Sequence, residues 1–327
     1  MNRYDREETE NKKRTSWFDR ARKEREGIDP DEPKALDNPT VASFFKLLGR
    51  KINTLLSVNL LYVFGNFPIF FFLLAMSGYV SDNTFAPYYQ QYAPLLGASF
   101  FDPSPVTATL LGVFGLQTGV TIPTTLTMVF FALTGLLLVT FGPVNVGTSY
   151  VIRSMIREEG LFLLSDFWYA IKRNVKQEFL FGALDLIIMG LLGYDFLYFY
   201  LNLGSGSTFI YILFFITSAM IIVYTMMRMY IYLMMITFDL SIFKLLKNAL
   251  FFTILGIKRN IMALLWIFLL AAVEYLFLIV FFPVGVILPM IILFSAASFG
   301  CAFAAYPKIK EIMIDPYYAE HPSEVNE

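Results

Sequence analysis

Residues 209–236 read FIYILFFITSAMIIVYTMMRMYIYLMMI, and Arg228 is the one charged residue among them. About 20 apolar residues at 1.5 Å each cross the hydrocarbon core of a bilayer, so this stretch is long enough to span it as a helix. Five others have the same character: 55–77, 126–150, 179–200, 261–282 and 284–306. Pro283 separates the last two, which together are too long for one crossing and are read as two helices joined by a tight turn. The spacing predicts an all-α membrane protein with six transmembrane helices in three hairpins.

Composition agrees with that reading. The 327 residues are 57% hydrophobic, 17% aromatic and only 16% charged, with a mean hydropathy of +0.61. Charge is too scarce to coat a soluble globule of this size. One cysteine, Cys301, rules out an intrachain disulfide, and one histidine, His321, leaves His-based catalysis and His/Cys metal binding without material. Walker A, dinucleotide-glycine, GxSxG and HExxH patterns are missing. Neither an enzyme nor a cofactor or metal is expected. The basic N-terminal arm is nearly balanced by its own acids, so no nucleic-acid partner is expected either.

The net charge of −1 hides an uneven distribution. Lys and Arg fill the first fifty or so residues, recur in 153–176, 244–259 and the tail, and otherwise occur only at Arg228. Segments 78–121 and 201–208 carry no basic residue. By the positive-inside rule both termini are cytoplasmic. The expected organisation is a charged arm over 1–40, a membrane domain over 41–310 with an extracytoplasmic segment 78–121 holding an interfacial or re-entrant helix near 106–119, and a cytoplasmic tail over 311–327.

IKRN occurs at 171–174 and again at 257–260. Each copy follows an amphipathic stretch, SDFWYA in one case and FDLSIFKLLKNALFFTILG in the other, and each precedes a span; FFKLLGRKINTLL has the same layout. The pattern predicts interfacial helices lying on the cytoplasmic leaflet, with Lys172, Arg173, Lys176, Lys258 and Arg259 as basic anchors to lipid headgroups. Ser165 or Asp166 is the expected N-cap of the helix over 165–174, and Glu158, Glu159 and Asp166 are expected in a solvated loop.

At FGPVNVGTSYVIRSMIREEG, SDFWYAIKRNVKQ and FDLSIFKLLKNAL, from about residue 44 to 310, the chain resembles the YesL-like family of bacterial integral membrane proteins. The resemblance implies a multi-spanning protein of unassigned activity in a bacterial cytoplasmic membrane, associated with carbohydrate uptake. Its partners would be the lipid bilayer and carbohydrate transporter subunits; the oligomeric state is left open.

Charges within spans are costly and mark candidate sites. Asp185 and Arg228 fall at similar depth on neighbouring spans and can pair. Glu274 lies past the middle of the fifth span. Gly142 and Pro143 are expected to break the second span so that Asn145 and freed carbonyls line a cavity. Two readings follow: polar groups that lock helices together, or a route for a proton or polar solute. The topology has a direct test. In a Cys301→Ser background, a cysteine at position 90 or 205 should react with an impermeant thiol reagent in intact cells, and one at 170 or 250 should not; the reverse pattern discards the orientation.

Overall fold

The computed structural model describes Leu36, residues 39–87 and residues 117–320. Most of the charged arm, the expected re-entrant helix as far as residue 116, and His321 lie outside the described residues. The chain divides into two compact units, Met1–Asn66 with Leu138–Glu327, and Phe67–Leu137.

The smaller unit holds α3 (Ile69–Met76), a two-stranded antiparallel ribbon β1 (Asp82–Pro87) and β2 (Gln117–Ile122), and α4 (Thr125–Thr134). Thr124 caps α4 by accepting from the Thr127 N–H, and the Thr127 hydroxyl donates to the Val80 carbonyl at 2.8 Å. Phe71 and Phe130 stack at 5.7 Å. Residues 117–119, expected to be helical, form part of β2.

The larger unit is helical. It comprises α1 (Val41–Arg50), α2 (Ile52–Gly65), α5 (Leu137–Ile156, all but its first residue), α6 (Leu163–Leu201), α7 (Thr208–Thr237), α8 (Ile242–Leu255), α9 (Ile257–Val280), α10 (Phe282–Leu288), α11 (Phe294–Ile309) and α12 (Asp315–Glu320). Among the described residues five helical runs are long and apolar enough to cross a membrane: Thr125–Ile156, Leu163–Ser205, Thr208–Thr237, Ile257–Val280 and Phe282–Tyr317. A sixth results if Ile52–Gly65 and Ile69–Met76 are one broken span. This is an all-α membrane-protein fold.

The core of this unit lies towards one end of the bundle. Every residue of α7 from Met229 to Thr237 is buried, against Val144–Ile156 of α5 and Phe299–Ile309 of α11, whereas large apolar side chains such as Phe209, Phe215 and Met220 are exposed. A helix that is apolar on all sides yet exposed along half its length is built for a hydrocarbon surround.

Three expectations need correction. First, the IKRN copies are not equivalent. The first lies inside α6, which runs without a break for 39 residues, about 58 Å and nearly twice the ~30 Å hydrocarbon thickness. Nothing in 163–201 stops a helix, so the amphipathic segment is continuous with the span and is not a separate helix. The second copy starts α9 after a stop at Gly256. Asn174 bonds within its own helix at Ala170, whereas the buried Asn260 donates to the carbonyls of Phe252 and Thr253 and accepts from the Tyr230 hydroxyl at 2.6 Å, tying the end of α8 to α7.

Second, Gly142 and Pro143 sit inside a continuous α5. A Cβ on Gly142 would collide with the Glu178 carbonyl, and one on Gly182 with the Gly142 backbone. The glycine serves close helix approach, not a break. Third, α6 starts at Leu163, with Phe162 as its N-cap residue; Asp166 accepts from the Phe162 N–H at 2.8 Å, and neither Ser165 nor Asp166 is the cap position.

The last span carries an irregular turn that the sequence conceals. Residues Pro289–Leu293 form a π-helical turn between α10 and α11, a wider turn that displaces backbone groups from the i→i−4 ladder. The fully buried Asn59 of α2 meets them: its Nδ2 donates to the Pro289 carbonyl at 2.8 Å and its Oδ1 accepts from the Ser295 N–H at 2.9 Å. Gly142→Ala should lower the unfolding temperature in detergent, with an overpacking penalty of about 1–3 kcal/mol. Gly190→Ala, with open space around its Cβ position, should leave it unchanged.

Candidate functional site

Tyr224, Arg228 and Tyr232 follow one another at intervals of four residues on α7, and therefore share one face. All three reach the same acceptor. The Tyr224 hydroxyl donates to Asp185 Oδ1 at 2.7 Å, the Tyr232 hydroxyl to Oδ2 at 2.6 Å, and Arg228 Nε to Oδ2 at 2.8 Å and Oδ1 at 3.1 Å. Asp185, on α6, has no exposed surface. Its charge is compensated by one cation and by two phenol donors, as a buried carboxylate requires.

The cation is held on its other side too. Arg228 Nη2 donates to Asn145 Oδ1 at 3.1 Å, and Asn145 is fixed in turn because its Nδ2 donates to the Phe141 carbonyl at 2.7 Å. The guanidinium lies 5.4 Å from the Phe141 ring centroid and 5.3 Å from that of Tyr232, a spacing at which ring quadrupoles stabilise a cation.

The pair is asymmetric. The Arg228 side chain retains 26% of its surface, that of Asp185 none. The open side of Arg228 borders a cavity of about 180 Å³ between α5, α7, α9 and α11, whose polar lining also includes Asn145, Ser149, Thr225, Tyr232 and Ser298. That is room for roughly six waters at about 30 Å³ each, below the ~300 Å³ of pockets for drug-sized ligands. The cavity offers a cation, an amide and several hydroxyls, and among the described residues no acidic side chain lines it.

Of the residues expected from sequence, Asn145, Asp185 and Arg228 come together. Glu274 does not: it is half-buried on α9, outside the cavity lining, and its Oε2 is a buried atom with no hydrogen-bond partner among the described residues. Lys172, Lys176 and Lys258 are exposed, Arg259 is half-exposed, and Arg173 donates to the Tyr169 hydroxyl at 2.6 Å.

Other polar residues escaped the sequence reading. Arg153, grouped with loop charges, is 1% exposed and donates to the Ile236 carbonyl and the Thr237 hydroxyl, where it answers the negative end of α7. Glu158, expected in solvent, is buried, at φ +53°, and ion-paired with Arg50 at 2.7 Å. Glu178 is wholly buried, and neither carboxylate oxygen has a hydrogen-bond partner among the described residues. The four-residue spacing in YTMMRMYIY was the readable signal for Tyr224 and Tyr232; Glu178 and Arg153 carried none, because they sit at the edges of apolar runs.

The family described as "Protein of unknown function, DUF624" matches residues 122–196. Over that stretch the chain is similar to it. The stretch contains Asn145 and Asp185 and stops short of Arg228. No curated protein and no solved structure matches the chain.

A double-mutant cycle checks the pair. Asp185→Asn and Arg228→Gln should each destabilise by about 3–5 kcal/mol through the uncompensated partner left behind, and the double variant should lose less than the sum. Glu274→Gln should not destabilise, because it removes a charge from a span and breaks no bond among the described residues. Additive losses at 185 and 228 would show that the two do not act together.

Proposed function

We propose that this protein is a non-enzymatic, membrane-embedded binder of a small neutral polar solute, a transport-related component of carbohydrate uptake. The observation that carries the reading is the open side of Arg228 in a hydroxyl-lined cavity. The arginine is already neutralised by Asp185, so the site as a whole has little net charge and favours a neutral solute over a free anion. A polyhydroxy solute accepts from the guanidinium and exchanges hydrogen bonds with Ser149, Thr225 and Ser298, while the Tyr232 ring offers a face for its C–H groups. The size admits a monosaccharide or smaller. Carbohydrate as the class is supported by the resemblance to the YesL-like family, and the similarity over residues 122–196 is read as part of it.

The setting that goes with this function is a bacterial cytoplasmic membrane with both termini cytoplasmic, with lipid and carbohydrate transporter subunits as neighbours. Crossing the hydrocarbon layer requires a solute to exchange water for protein dipoles, and this cavity supplies them. A second reading, a non-transporting structural or regulatory partner, is favoured by one observation: Asp185 is fully sealed and fully hydrogen-bonded, as in a lock between helices.

Binding of a monosaccharide panel to the protein in nanodiscs, together with uptake into proteoliposomes, separates the two. Ser149→Ala and Ser298→Ala touch the cavity and not the ion pair. Each should weaken binding about two- to ten-fold, the loss of one hydrogen bond of about 0.5–1.5 kcal/mol, with the unfolding temperature unchanged. Glu274→Gln should bind as the unaltered protein does. No binding and no flux with any sugar, in protein whose ion pair is intact, supports the lock.

A further inference from the structure

On another side of the same unit, α1, α9 and α11 enclose a groove of about 230 Å³. Its walls include Phe45, Ala263, Trp266, Leu269 and Phe303, and Arg259 stands at one end. Among the described residues no acidic side chain lines it, and Arg259 makes no ion pair with any of them. The flanking residues Val41, Phe45, Met262 and Leu265 are all exposed, so the groove opens on the apolar exterior of the bundle. Trp266 forms its floor: the indole Nε1 donates to the Ala296 carbonyl at 2.9 Å, and its ring occupies the space that a side chain at residue 300 would need, which Gly300 leaves free.

We infer that this groove binds one acyl chain of an anionic phospholipid, with the headgroup phosphate on Arg259. Length and charge both select this occupant. From Arg259 to Leu269 the groove follows ten residues of α9, about 15 Å, which is the depth of one leaflet's acyl layer in a ~30 Å core. A transmembrane helix needs a face about twice as long. A cation at the polar end of an apolar slot, with Lys258 exposed beside it, complements a lipid phosphate and is left uncompensated by a zwitterionic surface. Arg259 also presents a planar fork of donors suited to phosphate oxygens. The second IKRN copy thereby acquires two tasks. Asn260 fastens α8 to α7, and Arg259, one residue earlier, faces the lipid.

The test uses Trp266 as its reporter. With Trp17→Phe and Trp168→Phe, Trp266 is the only tryptophan, and brominated acyl chains quench it on contact. In nanodiscs, brominated phosphatidylglycerol should reach half-maximal quenching at about five-fold lower mole fraction than brominated phosphatidylcholine, as expected for about 1 kcal/mol from one basic residue near the surface. Arg259→Gln should abolish most of that preference, and Lys172→Gln, away from the groove, should preserve it. Ala304→Phe, which fills the slot, should reduce quenching by both lipids. Equal quenching by the two lipids, a preference that survives Arg259→Gln, or one that Lys172→Gln removes equally, overturns the site. A Trp266 that neither lipid quenches means that a protein segment covers the groove, and overturns it as well.

Discussion

A carboxylate and a guanidinium inside an apolar bundle constrain everything near them. Arg228 in a lone helix would face hydrocarbon at a cost of about 2.5–3.5 kcal/mol even on insertion-based scales, and Asp185 would be similarly disfavoured. The two helices lose that penalty by presenting the charges to each other. The pair thus sets the register of α6 against α7, because four hydrogen bonds converge on one carboxylate from three residues of α7. A shift of one residue would break the convergence. Asn145 extends the constraint to α5, and the Gly142–Gly182 approach brings α5 near enough to α6 for it to hold. Net stabilisation from a buried pair is small; positional specificity is what it supplies here.

The same asymmetry that makes the pair a good lock makes it a candidate site. Had both charges been sealed, the cluster would be structural and nothing more. Arg228 instead keeps part of its surface towards the cavity, its charge balanced from behind by Asp185 and its position fixed by Asn145 and two aromatic faces. A preorganised donor of this kind loses little conformational freedom when a solute arrives. Away from it, three polar side chains serve the backbone: Asn59 at the π-helical turn, Asn260 at the end of α8, and Arg153 at the end of α7 each satisfy backbone groups that a helix end or irregularity leaves exposed.

Hydropathy made the spans legible, since crossing a bilayer imposes a length that no other constraint mimics. Depth along the spans made the Asp185–Arg228 pair legible for a related reason: within hydrocarbon an opposite charge at the same level is the cheapest partner. Direction around the helix was harder. Glu274 lies in an equally apolar run and turns away from the cavity, and Arg153 looks like a loop charge but points inward; a one-dimensional reading has depth and lacks azimuth. Gly142 and Pro143 show a different limit, because a residue pair that breaks helices in water is tolerated within a packed membrane bundle. The repeated IKRN diverges because of what precedes it, a helix-continuing sequence in one case and Gly256 in the other.

Cys301 lies in the lining of the cavity and is the only cysteine of the chain, so the unmodified protein carries its own probe of the central claim that the space beside Arg228 admits a polar solute. The rate at which a small water-soluble methanethiosulfonate modifies Cys301 in proteoliposomes should be measurable, and should fall at least several-fold when a bound monosaccharide fills the cavity. A rate that no sugar changes, or a thiol that such a reagent reaches only after the protein is unfolded, would contradict the account.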